Sequence, residues 1–212
     1  MSIVLYFGSG SPFAWRVMLA LEHKGQAYEA RRLRFDRQET RSAEFLAINP
    51  RGRVPTLVHD SWPSRESLVI MEYLEDAFPQ PALLPATPRA RATARLLARE
   101  TDEFVGPLIA RVMRQTLMGK GEPDPTELAA ATAELARELE RLEAGLTGEW
   151  LVERLGLADF AVYSQLRMVR RIGERMPEHS LDHLLGPRVS AWMGRIEALP
   201  YHGRTIPPHW KE

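Results

Sequence analysis

Apolar and polar positions in the first third of the chain alternate between strand-like and helix-like spacing. Residues 3–7 form an apolar run closed by a Gly-Ser-Gly turn, which predicts a buried strand. Residues 12–24 repeat apolar side chains at helical spacing, and residues 27–33 alternate sufficiently for a second strand. Residues 42–47 predict a short helix that stops ahead of an Asn-Pro pair. The order so far is strand, helix, strand, helix.

Two further strands and a helix are predicted before residue 80. Residues 56–59 form a third strand, and residues 61–65 must hold the fourth. Because Pro63 cannot donate to a sheet ladder, the fourth strand is expected at an edge of the sheet. A helix opened by Glu66 then runs to Ala77, ahead of a proline-rich stretch. The complete order resembles the thioredoxin-like arrangement.

The rest of the chain predicts helices only. Residues 79–88 form a proline-rich break without helical period, which is typical of a linker. Helices are predicted at 89–118 (bent at Gly106-Pro107), 126–146 and 157–172, with shorter ones in 180–199 and a tail at 201–212. We therefore expect two domains, at 1–80 and 89–212, joined by a linker at 81–88, with a ligand cleft at their junction.

Composition narrows the class of protein further. Hydrophobic residues make up 44% and charged residues 26%, and 28 basic residues balance 28 acidic ones, so nothing favours nucleic acid or an anionic membrane as a partner. The absence of cysteine excludes disulfides, thiolate metal sites and a protein thiol nucleophile, and it favours a reducing compartment. The start of the chain lacks a basic leader, and no apolar run approaches the roughly 18 residues of a membrane span. We expect a cytoplasmic protein without a metal site.

The segment around Val54-Pro55 carries the first sign of a binding site. Proline at the head of a strand cannot join the ladder, and a cis bond would turn the backbone polar groups of Val54 towards another chain. Glu66-Ser67 opens a helix whose free N–H groups and dipole favour a carboxylate. Together these features predict a docking place for a small peptide with a free carboxylate.

Ser11 is the candidate for catalysis. It lies between the first strand and the first helix, directly before Pro12, which suits the first turn of a helix. A hydroxyl in that place can stabilise a substrate thiolate, and it can equally serve as an ordinary N-cap. Both roles are compatible with one side chain. Ser9 is a second candidate, and Tyr6 is a third that lies within the strand.

Two motifs resemble the glutathione-binding half of the glutathione transferase family, namely Asn49-Pro50-x-Gly52-x-Val54-Pro55 and Glu66-Ser67-x-x-Ile70-x-x-Tyr73-Leu74. The resemblance implies that the backbone of Val54, before a cis Pro55, pairs with the cysteinyl unit of glutathione. It also implies that Glu66 and Ser67 take the γ-glutamyl end. It covers nearly the whole chain and implies an α/β thioredoxin-like N-terminal glutathione-binding domain, an all-α C-terminal helical domain and a twofold homodimer.

The loop after the first strand extends this resemblance. Ser11-Pro12-Phe13 is similar to tau-type transferases, and Trp15-Arg16-Val17 is similar to zeta-type enzymes. Both comparisons select Ser11 as the residue that holds the thiolate, with Phe13 beside it in the glutathione site. Arg53 is a candidate for the glycine carboxylate of glutathione, because arginine pairs with carboxylates through two hydrogen bonds. Arg41 is a weaker candidate.

The family implies an enzyme that conjugates the thiolate of glutathione to a hydrophobic electrophile, or reduces hydroperoxides, in detoxification. A non-catalytic interaction module of the same fold and a zeta-like glutathione-dependent isomerase remain alternatives. The zeta motif has Ser-Ser-Cys where this chain has Ser11-Pro12-Phe13, a difference that weighs against the isomerase. The lack of cysteine excludes the cysteine-dependent omega and beta types, and it excludes disulfide exchange by the protein. Asp159, at the start of a helix, resembles a structural capping residue of the family.

Overall fold

The computed structural model describes residues 2–210, which divide into two compact units. The first unit contains residues 2–83 together with 199–210, and the second contains residues 84–198. The expected helical domain at 89–212 differs from this division in its last residues. Residues 199–210 join the first unit because Thr205 and Trp210 contact the Trp15 side chain.

The first unit is built on a four-stranded mixed sheet. Its strands are β1 (Ile3–Phe7), β2 (Glu29–Arg32), β3 (Thr56–His59) and β4 (Trp62–Arg65), in the spatial order β2-β1-β3-β4. β1 is parallel to β2 and antiparallel to β3, which is antiparallel to β4. The helices are α1 (Pro12–His23), α2 (Ala43–Ile48) and α3 (Ser67–Ala77). The thioredoxin-like order predicted for this stretch is confirmed.

Local chemistry accounts for the edges of this sheet. β4 is an edge strand, as Pro63 requires, and Pro63 lies opposite Val58 of β3. β2 forms the other edge and is shorter than the stretch 27–33 predicted for it; all four of its residues are exposed. The central strands β1 and β3 supply buried side chains, including Leu5 and Leu57. α1 and α3 bury their apolar faces in the same core, with the following side chains fully or nearly fully buried: Val17, Leu19, Leu21, Ile70, Met71 and Leu74.

The second unit is helical, as predicted. Its helices are α4 (Pro88–Glu100), α5 (Gly106–Gln115), α6 (Pro125–Gly145), α7 (Leu157–Arg175) and α8 (Pro187–Glu197). A further short helix, α9 (His202–Thr205), belongs to the first unit. Within residues 2–210, no helix combines the length and apolar character needed to cross a membrane.

The long helix predicted at 89–118 is interrupted by a π-helical turn at Thr101–Val105. In that turn the Gly106 N–H bonds to the Thr101 carbonyl, five residues back, instead of the usual four. Pro107 follows directly and has no N–H to continue the regular pattern. The irregular hydrogen bonds therefore lie directly before Gly106-Pro107, the place at which a bend was predicted.

Asp159 holds the start of α7, which is buried over most of its length. Its carboxylate accepts the backbone N–H groups of Leu151 and Gly156 at 3.0 Å each, and the indole N–H of Trp192 at 2.8 Å. These contacts agree with the structural role predicted for this residue. Burial raises the pKa of Asp159 to about 6, while the three N–H donors oppose that rise.

Candidate active site

The loop between β1 and α1 presents Ser11 at a helix N-terminus. Gly10 has φ +83°, a conformation that glycine adopts without steric cost, and the Ser11 N–H donates to the Gly8 carbonyl at 3.1 Å. Ser11 is the N-cap of α1, with Pro12 directly after it. Its Oγ accepts the Ala14 N–H at 3.3 Å. The cap therefore uses the oxygen of the hydroxyl and leaves its proton free to donate.

The turn before β3 is organised by the buried side chain of Asn49. Its amide donates to the Arg53 carbonyl at 2.8 Å and to Thr56 Oγ1 at 2.9 Å, and its oxygen accepts the Arg51 N–H at 3.1 Å. The Val54–Pro55 peptide bond that follows is cis, so this part of the sequence prediction is confirmed.

The start of α3 combines an unusual backbone with open hydrogen-bond donors. Glu66 precedes the helix with φ +66° and ψ 111°, a region that favours glycine, and its side chain makes no capping hydrogen bond. Ser67 is buried, and the first turn of α3 contains no acidic residue. Since the N–H groups of a first turn have no partner within the helix, this end of α3 suits a carboxylate.

One cavity of about 380 Å³ in the first unit brings these three segments together. Every residue predicted for the site lines it: Ser11, Phe13, Arg53, Val54, Pro55, Glu66 and Ser67. Four residues not predicted for the site also line it, namely Phe35, Asn49, Gly52 and Arg65. Asn49 and Gly52 belong to a motif visible in the sequence, whereas nothing in the pattern around Phe35 or Arg65 marks them.

The weaker candidates lie outside this cavity and have other partners. Ser9 Oγ shares a hydrogen bond of 2.6 Å with His209 Nδ1. The Tyr6 hydroxyl lies 3.0 Å from Arg31 Nη1, which donates to it. Arg41 donates to the Arg51 carbonyl at 3.4 Å. Of the hydroxyl candidates, Ser11 is the one that reaches the cavity.

The charges around the cavity favour an anionic ligand. Exposed Arg53 and Arg65 line it, and Glu66 is the one acidic residue among its lining residues. The first turn of α1 contains no acidic residue either, so the positive end of its dipole is not offset locally. The Arg16 guanidinium lies 4.8 Å from the centroid of the Phe13 ring. Across the described residues 2–210, no group of three His, Asp or Glu side chains could hold a metal ion.

Comparison with known proteins identifies the family. Residues 10–77 match the family model for the glutathione S-transferase N-terminal domain, and residues 101–200 match that for the C-terminal domain. A probable glutathione S-transferase from Oryza sativa subsp. japonica is 35% identical, over 91% of this chain and 85% of the relative. The chain belongs to the glutathione S-transferase family. The family predicted from the sequence is therefore confirmed.

Other relatives in the family carry two different activity names. Glutathione S-transferase A from Pleuronectes platessa is 29% identical over 99% of this chain and 93% of its own length. Maleylacetoacetate isomerase from Rattus norvegicus is 31% identical over 85% of each chain. The relatives of this chain thus include both glutathione S-transferases and a maleylacetoacetate isomerase.

Solved structures agree with this assignment. A glutathione S-transferase from the Antarctic clam Laternula elliptica has a TM-score of 0.85 at 27% identity, over 100% of this chain and 95% of its own. A glutathione transferase family member from Pseudomonas fluorescens pf-5, with two glutathione bound, has a TM-score of 0.82 at 27% identity, over 97% and 92%. Both confirm the predicted transferase fold.

Proposed function

We propose that the chain is a glutathione transferase in which Ser11 stabilises the thiolate of bound glutathione. The observation that carries this proposal is the cavity that Ser11 shares with the Val54-Pro55 turn and the start of α3. Membership of the family supports a transferase, and the glutathione-bound relative from Pseudomonas fluorescens supports glutathione as co-substrate.

The thiol of glutathione needs help to ionise near neutral pH, because a free cysteine thiol has a pKa of about 8.5. Ser11 Oγ accepts the Ala14 N–H, so the hydroxyl proton can be donated to the sulfur. The N-terminus of α1 adds the positive end of its dipole. Both effects stabilise the thiolate relative to the thiol and lower the pKa of bound glutathione.

The remaining groups of the tripeptide are assigned by charge. The backbone of Val54 pairs with the cysteinyl unit, and the start of α3 with Ser67 receives the γ-glutamyl carboxylate. The Glu66 carboxylate pairs with the γ-glutamyl ammonium group. Arg53 pairs with the glycine carboxylate, which its planar guanidinium can hold by two hydrogen bonds. The two carboxylates and the ammonium group of glutathione are each matched to a group lining the cavity, while Val54 pairs through its neutral backbone.

The chemistry that follows is nucleophilic attack by sulfur. In conjugation a sulfur–carbon bond forms, the leaving group departs with its bonding electron pair, and the thiol proton passes to solvent. In hydroperoxide reduction the thiolate attacks the terminal peroxide oxygen, the O–O bond breaks, and the alcohol leaves after taking a proton. A second glutathione then converts the resulting sulfenic acid to the disulfide and water. Exposed Phe13 and Phe35 give the cavity an apolar wall, which favours a hydrophobic electrophile.

Ser11→Ala tests the proposal. The variant should raise the pKa of the bound glutathione thiol by about one to two units, because that shift corresponds to the free energy of a hydrogen bond to a charged group. Turnover at neutral pH should fall about tenfold or more, since less of the bound glutathione is ionised. Glutathione affinity should change much less below that pKa, where bound glutathione is the neutral thiol in both proteins. Ultraviolet absorbance of the bound thiolate, titrated against pH, measures the shift.

Thr87→Ala is the matched control, because Thr87 caps α4 just as Ser11 caps α1. It too is followed by proline, and its Oγ1 accepts the N–H three residues on at 3.2 Å. Loss of either cap should lower the free energy of unfolding by about 1 kcal/mol.

Equal thiolate titration curves for wild type and Ser11→Ala would contradict the catalytic assignment. Retention on glutathione resin without turnover of any electrophile would favour the non-catalytic module.

A glutathione-dependent isomerase is the second candidate. Similarity to the rat isomerase and the zeta-like Trp15-Arg16-Val17 segment favour it. In isomerisation the sulfur adds and then leaves, so glutathione is regenerated and the product has the mass of the substrate. Incubation with a cis-dienone substrate and mass analysis of the product distinguish the two candidates, since conjugation adds the mass of glutathione.

We further propose a twofold homodimer, a role in detoxification and a cytoplasmic location. Exposed apolar side chains on each unit support the dimer: Trp62 and Val69 on the first, and Leu96 and Phe104 on the second. We also propose that residues 2–80 act as the glutathione-binding domain, since the cavity is lined entirely from that stretch.

A further inference from the structure

Residues 199–210, the C-terminal segment of the first unit, contact α1 at several points. The Trp15 indole donates to Thr205 Oγ1 at 2.9 Å in a buried hydrogen bond. Trp210 packs edge-on against Trp15, with ring centroids 5.1 Å apart. Two further contacts join the same segment to the end of α1: Tyr201 with His23 at 2.9 Å, and Arg204 with Glu22 at 2.8 Å. The segment is thus held at several points on the helix that Ser11 begins.

His209, near the end of that segment, reaches the loop that carries Ser11. Its Nδ1 shares a hydrogen bond of 2.6 Å with Ser9 Oγ. Its ring also fills the space beside Gly10, where an added Cβ would lie 2.8 Å from His209 Cε1. Ser9 and Gly10 are the two residues directly before Ser11. A residue almost two hundred positions away therefore contacts both of them.

We propose that His209 is a positioning residue that acts on Ser11 through Ser9. The loop contains Gly8 and Gly10, and glycine leaves a chain more conformational freedom than any other residue. Within the loop, the Ser11 N–H bond to Gly8 and the 3.3 Å cap to Ala14 hold Ser11. The hydrogen bond between His209 and Ser9 fixes Ser9 from outside the loop, and so restricts where the Ser11 hydroxyl points. This inference rests on the proposed role of Ser11.

Variants of His209 separate its hydrogen bond from its bulk. His209→Phe keeps a ring beside Gly10 and removes the polar contact, whereas His209→Asn places a polar atom near the position of Nδ1 without the ring. His209→Phe should lower kcat/KM about fivefold, the value of one hydrogen bond. It should raise the pH midpoint of the bound thiolate by about 0.7 unit. His209→Asn should return kcat/KM to within about twofold of wild type and the pH midpoint to within about 0.3 unit.

Ser9→Ala tests whether His209 acts on Ser11 through Ser9. If His209 acts through Ser9, Ser9→Ala should match His209→Phe, and the double variant should be no worse than either single one. Additive losses would contradict the proposal, as would an Asn variant as impaired as the Phe variant. His183→Phe is the control, because His183 is an exposed histidine in the second unit.

Hydrogen exchange distinguishes failure of this inference from failure of the proposed function. Without any ligand, amide exchange of residues 8–14 should be about fivefold faster in His209→Phe than in wild type, and unchanged in His183→Phe. Unchanged exchange in His209→Phe would overturn the positioning role whatever glutathione does. If exchange responds but wild type neither binds glutathione nor ionises it, the proposed function of Ser11 fails, and the positioning inference falls with it.

Discussion

Glu66 has a backbone conformation that residues with a side chain rarely adopt. Its φ of +66° places it in a region where steric strain costs about 1–3 kcal/mol. The residue nevertheless lines the cavity at the start of α3, and its side chain makes no capping hydrogen bond there. Strain that persists beside an open helix terminus is typical of a residue retained for binding.

Glu66→Gly should therefore affect stability and binding in opposite directions. Glycine relieves the strain but loses about 0.5–1 kcal/mol in chain entropy, so the free energy of unfolding should rise by about 1 kcal/mol. Loss of the carboxylate should weaken glutathione binding about tenfold or more, as for other charge-assisted contacts. Urea unfolding and calorimetric titration measure the two effects.

Gln38→Gly is the control for this pair of measurements. Gln38 has a comparable φ of +54° and does not line the cavity. It should gain stability without any change in glutathione affinity. A Glu66→Gly variant that binds glutathione as wild type does would remove Glu66 from the proposed site.

Asp159 predicts a specific dependence of stability on pH. Burial raises its pKa from 3.8 to about 6 in the folded chain. Because the folded-state value lies above the unfolded one, the stability it contributes is fully present below the unfolded pKa and is lost as pH rises through the folded pKa. Asp159→Asn does not titrate. The stability difference, wild type minus variant, should therefore grow by about 1 kcal/mol from about pH 7 to about pH 5.

Urea unfolding of wild type and Asp159→Asn at both pH values measures this difference in the free energy of unfolding. The effects of the other carboxyl groups cancel when the value for the variant is subtracted from that for wild type. A constant difference would mean that the carboxylate stays ionised on burial, stabilised by its three N–H donors. A difference that shrinks towards low pH would reverse the sign and contradict the raised pKa.

At the scale of elements, a buried ion pair joins Lys24, the C-cap residue of α1, to Glu75 of α3. The Lys24 ammonium donates to Glu75 at 3.1 Å and to the carbonyls of Phe78 and Pro81 at 2.6 and 2.9 Å. The same Glu75 oxygen accepts the Leu83 N–H at 2.7 Å. The Lys24 side chain has 0% exposure, so its charge depends on protein neighbours such as these for stabilisation.

Lys24→Met should lower the free energy of unfolding by about 3–5 kcal/mol, because it leaves the Glu75 carboxylate buried without its cation. Lys24→Met with Glu75→Leu should recover only part of the loss, since two carbonyls and the Leu83 N–H still lose their partner. Arg31→Met, which breaks the exposed pair with Glu29, should cost far less, because solvent screens both charges. A Lys24→Met loss as small as that of the exposed pair would show that the buried pair has little net effect.

Elements with a strong local signal were predictable from the sequence. β1 and β3 have the predicted bounds, and α1 begins at the predicted Pro12, because their apolar runs and turn residues lie within a few positions of each other. The π-helical turn at Thr101–Val105 and the return of residues 199–210 to the first unit were not predicted. The placement of residues 199–210 depends on contacts with distant Trp15, which periodicity does not record. The π-helical turn changes one step of the hydrogen-bond pattern, to which the spacing of apolar residues is not sensitive.

The candidate site likewise combines residues from short local motifs with residues that are distant in the chain. All seven residues predicted for it line one cavity, because they belong to short motifs with a chemical reason for their spacing. Phe35 and Arg65 were missed, since their place in the cavity follows from the path of the chain. His209 was missed for the same reason, because its contact with Ser9 spans 200 positions.

At the scale of the whole molecule, the proposed homodimer is tested by its mass in solution. Wild type should sediment at twice the chain mass of 24.1 kDa. Val69 and Phe104, each more than half exposed, should be buried in a twofold interface, so Val69→Glu or Phe104→Glu should give monomers at micromolar concentration. Met118→Glu changes another exposed apolar residue, outside the residues proposed for the interface, and should remain a dimer. A monomeric wild type, or glutamate variants that stay dimeric, would contradict this arrangement.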